Sequence, residues 1–244
     1  MRNLIGDIIC GIAALLVFFS CDRLNYQEEE YDIPVLPVES FSRYMKIDSE
    51  YHGHYLQSVQ ILDDVVYVFY DSGHCKCYDY NTHEMISEFD LASSSENSHC
   101  GNANFSINNT KHEPLLYISG NLVDKTATVE RMSLSGSKVV QTIKFDDGAF
   151  SYGQSLVVDD QNDRMFLIQR TSYDIKERGH FRLYQFSIPS LDNSFVALKK
   201  RNATMELKMY PYVPLYQGSV YKDGFIYLSH GYQEDMYGIK ASSW

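Results

Sequence analysis

What this sequence lacks first is a basic face. Its 21 Lys and Arg stand against 32 Asp and Glu, for a formal net charge of −11. Nucleic-acid binding rests on cationic groups that displace phosphate counterions, so that class of partner is excluded. The one dense basic run, Lys199-Lys200-Arg201, is short and reads as a solvated turn. No Gly-x-Ser-x-Gly elbow, no His-Glu-x-x-His pair and no phosphate-cradling glycine loop occurs. The enzyme classes that carry those motifs are therefore not indicated, and neither is a cofactor. Tryptophan is represented once, by Trp244. Beyond residue 20 no apolar run approaches the roughly 20 residues that a membrane-spanning helix needs.

What is present in their place is tyrosine, 20 of them, with 13 phenylalanines. Aromatic and β-branched residues suit the half-buried pleated surface of a sheet. Residues 57–91 show how they are arranged. Residues 57–62 make a strand-like run that breaks at Asp63-Asp64, and residues 65–70 (Val-Val-Tyr-Val-Phe-Tyr) make a second that breaks at Asp71-Ser72-Gly73. Residues 74–80 and 84–91 add a third and a fourth, separated by Asn81-Thr82. Each break uses residues that tolerate tight turns. Four short strands in an antiparallel meander are the unit of a propeller blade.

The pattern recurs. An amide (Gln57, Asn104, Gln154, Gln217) leads an apolar strand, a polar turn follows, and a second strand carries an aromatic or apolar centre. These amides are 47, 50 and 63 positions apart, a long repeat that favours propeller blades over a sandwich. The expected fold is all-β: about four four-stranded antiparallel blades, at residues 54–94, 100–147, 152–208 and 214–244, within a domain of residues 38–244. The last unit stops after its third strand. Residues 41–47 are one candidate for the missing strand that closes the ring. The alternative is a shortened reading frame that ends in Ala241-Ser242-Ser243-Trp244 and gives a non-functional product.

Ahead of this array, Arg2 precedes an apolar stretch at residues 4–19 that only Asp7 interrupts. An export signal over residues 1–20 is expected. Val17-Phe18-Phe19-Ser20-Cys21 resembles the lipobox of bacterial lipoproteins. The resemblance implies cleavage before Cys21 and acylation of its thiol, and several acyl chains make a stable membrane anchor. An uncleaved anchor helix is the other reading, and Asp7 is the residue that bears on it. Residues 21–37, with Glu28-Glu29-Glu30, read as a flexible acidic tether.

Further segments extend the likeness. They are Tyr70-Asp71-Ser72-Gly73-His74-Cys75, His99-Cys100-Gly101-Asn102-Ala103-Asn104-Phe105 and Tyr216-Gln217-Gly218-Ser219-Val220-Tyr221. Together with Cys21 they resemble the TolB-like six-bladed propeller lipoproteins of Bacteroidetes. The resemblance implies a place in the cell envelope, lipid-anchored to the outer membrane on its periplasmic or surface face. This chain departs from the group in length, since only four units fit.

Candidate chemistry is sparse. Cys75, Cys77 and Cys100, with His74 and His99, raise a metal site, but Cys-x-Cys is the wrong spacing for a zinc-chelating turn. An oxidising compartment favours a disulfide from Cys100 to Cys75 or Cys77, with unpaired buried thiols as the other reading. The first strand of each blade lines the channel. Gln57, Asn104, Gln154 and Gln217 would then ring one rim, with His54, His99, Tyr152 and Tyr216 as a stacking surface for a glycan or peptide. Alternatively, the same amides tie neighbouring blades together. The acidic pairs Asp63-Asp64, Asp146-Asp147 and Asp159-Asp160 read as solvated turn residues, or as hydrolase or lyase acids if they converge on the channel. The function that emerges is non-catalytic binding of a glycan, peptide or envelope protein.

Overall fold

Asp63 and Asp64 take φ of 48° and 59°, the left-handed pair that a two-residue hairpin turn requires. Asp223 and Gly224 repeat this geometry at 51° and 85°. These two turns open the first and last blades. The computed structural model describes residues 28–32, 35–36, 45–48, 50–94, 100–106, 114–121, 125–146, 150, 155–170, 181–210, 216–230 and 236–240. The signal segment, Cys21, His99, Tyr152, Gln154 and Trp244 lie outside the described residues, as do the side chains of Tyr216 and Gln217.

The strands in chain order begin with β1 (Glu28–Asp32), β2 (Val35–Leu36) and β3 (Glu50–Tyr51). The first meander is β4 (His54–Leu62), β5 (Val65–Tyr70), β6 (His74–Asp79) and β7 (Met85–Asp90). The second is β8 (Asn102–Ser106), β9 (Leu115–Asn121), β10 (Thr126–Ser133) and β11 (Gly136–Phe145). Then come β12 (Ser155–Asp159), β13 (Arg164–Arg170), β14 (Phe181–Ser187), β15 (Phe195–Leu198) and β16 (Met205–Tyr210). The last three are β17 (Tyr216–Lys222), β18 (Phe225–His230) and β19 (Met236–Lys240).

They form four sheets, ordered β3-β4-β5-β6-β7, β15-β11-β10-β9-β8, β1-β16-β14-β13-β12 and β17-β18-β19-β2. Counted outward from β4, β8, β12 and β17, the strands β5, β9, β13 and β18 hold equivalent second places, as the repeat predicts. The innermost strands meet in a cycle, β4 with β8, β8 with β12, β12 with β17, and β17 back to β4. This is a four-bladed β-propeller.

Alternation along each strand builds the core. Leu116 and Ile118 point toward the first blade, where they meet Tyr67, Phe69, Cys75 and Cys77. Their neighbours Leu115 and Tyr117 point the other way, onto Leu156, Met165, Leu167, Tyr184 and Phe186 of the third blade. A period of two thus gives β9 two buried faces. Each large side chain removed from water adds roughly 1.5–3 kcal/mol. Gly73, at φ +84°, sits where a Cβ would lie 2.8 Å from that of Ser94, so glycine alone allows the turn after β5 to pack against the end of its own blade.

Three expectations change. The acidic segment read as a tether contributes strands: β1 lies parallel to β16, and β2 pairs antiparallel with β19. Residues 35–36, not 41–47, thereby complete the fourth sheet. Met45 and Ile47 belong to no strand and pack instead on Val66, Val68 and Tyr70. Open edges with unpaired backbone groups draw in such segments whatever their composition. Finally, the long interval in the third unit is an excursion. After β14 the chain leaves its own sheet, lays β15 parallel to β11 of the second blade, and returns as β16.

Candidate functional site

Each inner strand delivers one small polar residue to the axis: Ser58, Asn102, Ser155 and Ser219, all buried. Asn102 is the hub. Its Nδ2 donates to Ser155 Oγ (2.8 Å), Ser219 Oγ (2.8 Å), Ser219 O (3.2 Å) and Leu156 O (3.3 Å). Ser155 and Ser219 hydroxyls lie 2.6 Å apart, and Ser58 Oγ donates to Ala103 O at 3.0 Å. Asn102 Oδ1 has no partner among the described residues. The axis is therefore a polar plug that joins all four blades.

The ring is least tightly packed between its first and last blades. A cleft of about 320 Å³ opens there, with Leu56, Val59, Val220 and Tyr227 as its apolar walls and Gln57, Gln60, Ser58, Asn102 and Ser219 as its polar lining. Gln57 interrupts the register between Leu56 and Ser58, and Gln217 does the same between Tyr216 and Gly218. Such bulges re-aim a side chain and often flank functional sites. Two of the four expected amides thus occupy bulges on the two strands that bound the cleft.

The other expected residues separate. Asn104 is buried between the second and third blades, where its Nδ2 donates to Leu156 O at 2.7 Å. It ties blades together and does not stand at a rim. The residue equivalent to Ser58, Ser155 and Ser219 is Asn102, two positions earlier on the same strand face. The legible signal was the serine that follows each glutamine by one or two positions. His54 is exposed, its Nδ1 2.8 Å from Asp71 Oδ1. Cys75, Cys77 and Cys100 are buried free thiols, with Cys75 and Cys77 sulfurs 4.0 Å apart. Cys100 is free like the other two, so the expected disulfide from it gives way to the unpaired reading. Burial pushes Cys75 well up, and burial, aided by the charges of Glu130 and Asp71, takes Cys100 to about 12. Cys75 and Cys100 are thereby packing groups, whereas the hydrogen bond with Cys75 holds Cys77 below the ordinary thiol value. Among the described residues no cluster of His, Cys, Asp or Glu is placed to hold a metal.

Asp159 corrects the reading of turn acids as solvated. It is buried, its Oδ2 2.6 Å from Arg164 Nη2 and 3.0 Å from Nε, while Asn162 Nδ2 donates at 2.9 Å. Arg164 lies over the Phe166 ring, and Phe166 stacks near Tyr221 of the fourth blade. Burial opposes ionisation of Asp159, but the hydrogen bonds from Asn162, Arg164 and Tyr221 and the Arg164 charge outweigh it and hold the carboxyl below its ordinary value. Its stabilising effect is complete above the unfolded pKa of about 4 and disappears as pH falls through the lower folded value. Asp159→Asn should therefore flatten the acid limb of stability below about pH 4, measured by urea midpoints from pH 2 to pH 6. An unchanged limb would show that the pair carries no linkage.

In sequence, no family model and no curated protein matches the chain. Solved structures resemble it only distantly. The β-propeller domain of Cps50 (Swd1) from Myceliophteria thermophila is 10% identical, with 77% of this chain and 54% of that one covered, at a TM-score of 0.38. The WD40 domain of Toxoplasma gondii coronin is 12% identical over 75% of this chain and 42% of that one, at 0.43. The computationally designed Ika4 protein is 9% identical over 79% and 98%, at 0.34. The chain spans about half the length of the first solved structures it matches. Its fold assignment rests on its own strand order.

Proposed function

We propose that this chain is a lipid-anchored envelope propeller that binds a glycan or peptide without transforming it, and that the cleft between the first and last blades is the ligand site. The cleft's lining carries the reading. Its described residues are amides, hydroxyls and apolar or aromatic groups, with no carboxylate or imidazole among them. Neutral donors and acceptors beside a tyrosine ring suit a sugar hydroxyl or a peptide group. A hydrolase needs acids free to act at the channel. The buried acids Asp159, Glu130 and Glu206 are instead held in ion pairs or hydrogen bonds, and none of them lines the cleft.

Glycan and peptide arrays probed with the full chain test this. A ligand that binds the native protein should lose about tenfold in affinity to Gln57→Ala and to Tyr227→Ala. Undiminished binding by both variants would move the site elsewhere. The anchor is tested separately, by metabolic labelling with palmitate. Label and membrane retention should both be lost in Cys21→Ala, and retention without label would instead favour an uncleaved helix.

A further inference from the structure

Two of the four blades end in a fifth strand laid parallel to the fourth: β15 beside β11, and β1 beside β16. The first blade follows the same plan, yet among the described residues β7 ends its sheet. The edge is apolar at its start, where Met85 and Ile86 are exposed. It is acidic at its end, where Glu88 and Asp90 reach solvent beside His74. Leu91 N–H donates to Gly73 O, and the register sets Asp90 opposite His74 and Glu88 opposite Lys76. Antiparallel alternation then turns the backbone groups of Glu88 and Asp90 outward. The strand's end is fixed from the second blade, because the buried Glu130 carboxylate accepts the N–H groups of Ala92 and Ser93. A rigid edge with free backbone groups is a template for another strand.

The geometry points to β7 as the docking edge for an extended cationic segment of a partner protein, which adds to the first blade as a parallel fifth strand. β15 and β1 show that this propeller's outer edges accept such an addition. Charge selects the occupant. A second copy brings a net charge of −11 to an acidic edge and is repelled. A segment alternating apolar and Lys or Arg residues sets cations beside Glu88 and Asp90 while its backbone pairs with β7. Main-chain bonds supply the affinity in this mode and the alternate side chains the specificity. The edge is remote from the residues that line the cleft, so it stands whether or not the cleft binds a ligand.

The experiment is fluorescence anisotropy with the full chain and a ten-residue peptide of alternating valine and lysine, with its valine–glutamate counterpart as control. The lysine peptide should bind saturably, more weakly as salt rises, and the glutamate peptide should not. The double variant Glu88→Lys/Asp90→Lys should reduce affinity by about tenfold or more. Glu88→Pro, which removes an outward N–H and leaves the ladder to β6 intact, should do the same. Gln57→Ala should bind as the native protein does, which separates this edge from the cleft. The proposal is overturned by no saturable binding, by equal binding of the glutamate peptide, by full affinity in the charge-reversed variant, or by dimerisation of the chain through β7.

Discussion

Asn102→Ala should destabilise the protein by about 3 kcal/mol, more than removal of any other single hydroxyl or amide at the axis. The estimate follows from what the amide serves. Two hydroxyls and two carbonyls from two other blades converge on one NH2 group, and a buried acceptor left unpaired costs roughly 1–3 kcal/mol. Leu156 O keeps Asn104 as a donor, and Ser155 keeps Ser219, so the losses do not simply add. Ser58→Ala, which gives up one bond to Ala103 O, should cost only about 1 kcal/mol. Asn102→Asp is the sharper variant, since it turns a carboxylate oxygen toward two carbonyls. Urea denaturation measures all three. A change within 0.5 kcal/mol for Asn102→Ala would mean that apolar contacts between blades, and not the plug, hold the centre.

The second large effect concerns Glu206, whose carboxylate is 0% exposed and contacts Arg182 and Lys200, the latter at 2.6 Å. The cations are not buried to the same degree, at 30% and 35% exposed. Removing either side of the cluster is therefore not equivalent. Glu206→Gln leaves two cations that can turn to water, and should cost about 1–2 kcal/mol. Arg182→Ala leaves a wholly buried carboxylate with one partner, and should cost about 3 kcal/mol. Thermal and urea unfolding of the two variants give the order directly. If Glu206→Gln proves the more damaging, the carboxylate's desolvation is not the dominant cost. Lys200 also revises the reading of Lys199-Lys200-Arg201, because the middle residue of that supposedly solvated run closes a buried charge.

The hairpins were the most legible part of the fold. Asp63-Asp64 and Asp223-Gly224 announce left-handed turns, and the aromatic runs beside them alternate in the manner of a sheet, so β4 to β7 fall almost where they are expected. The blade period followed from the same local signals. What could not be read was anything decided between distant segments. Glu28-Glu29-Glu30 has the composition of a tether, and only the open edge of β16 makes a strand of it. Phe195–Leu198 reads as an unremarkable apolar run, and nothing local says that it pairs one blade back. Asp159 looks like any turn acid until Tyr221, from another blade, closes over it. At the axis the difficulty was register. An amide two positions too late, Asn104, took the place of Asn102 because the repeat was aligned on residue type and not on the strand face.

The strand that completes the fourth sheet has a temporal consequence. Val35–Leu36 has its partner in Met236–Lys240, so a ribosome must make every blade between them before the circle can shut. Glu28–Asp32 likewise waits for Met205–Tyr210. The meander from β4 to β7 needs only its neighbours and can collapse early, whereas pairing of strands as distant in sequence as β2 and β19 carries the larger loop-closure entropy and comes later. Until then β1 and β2 have no strand to pair with, and their backbone groups stay open to water.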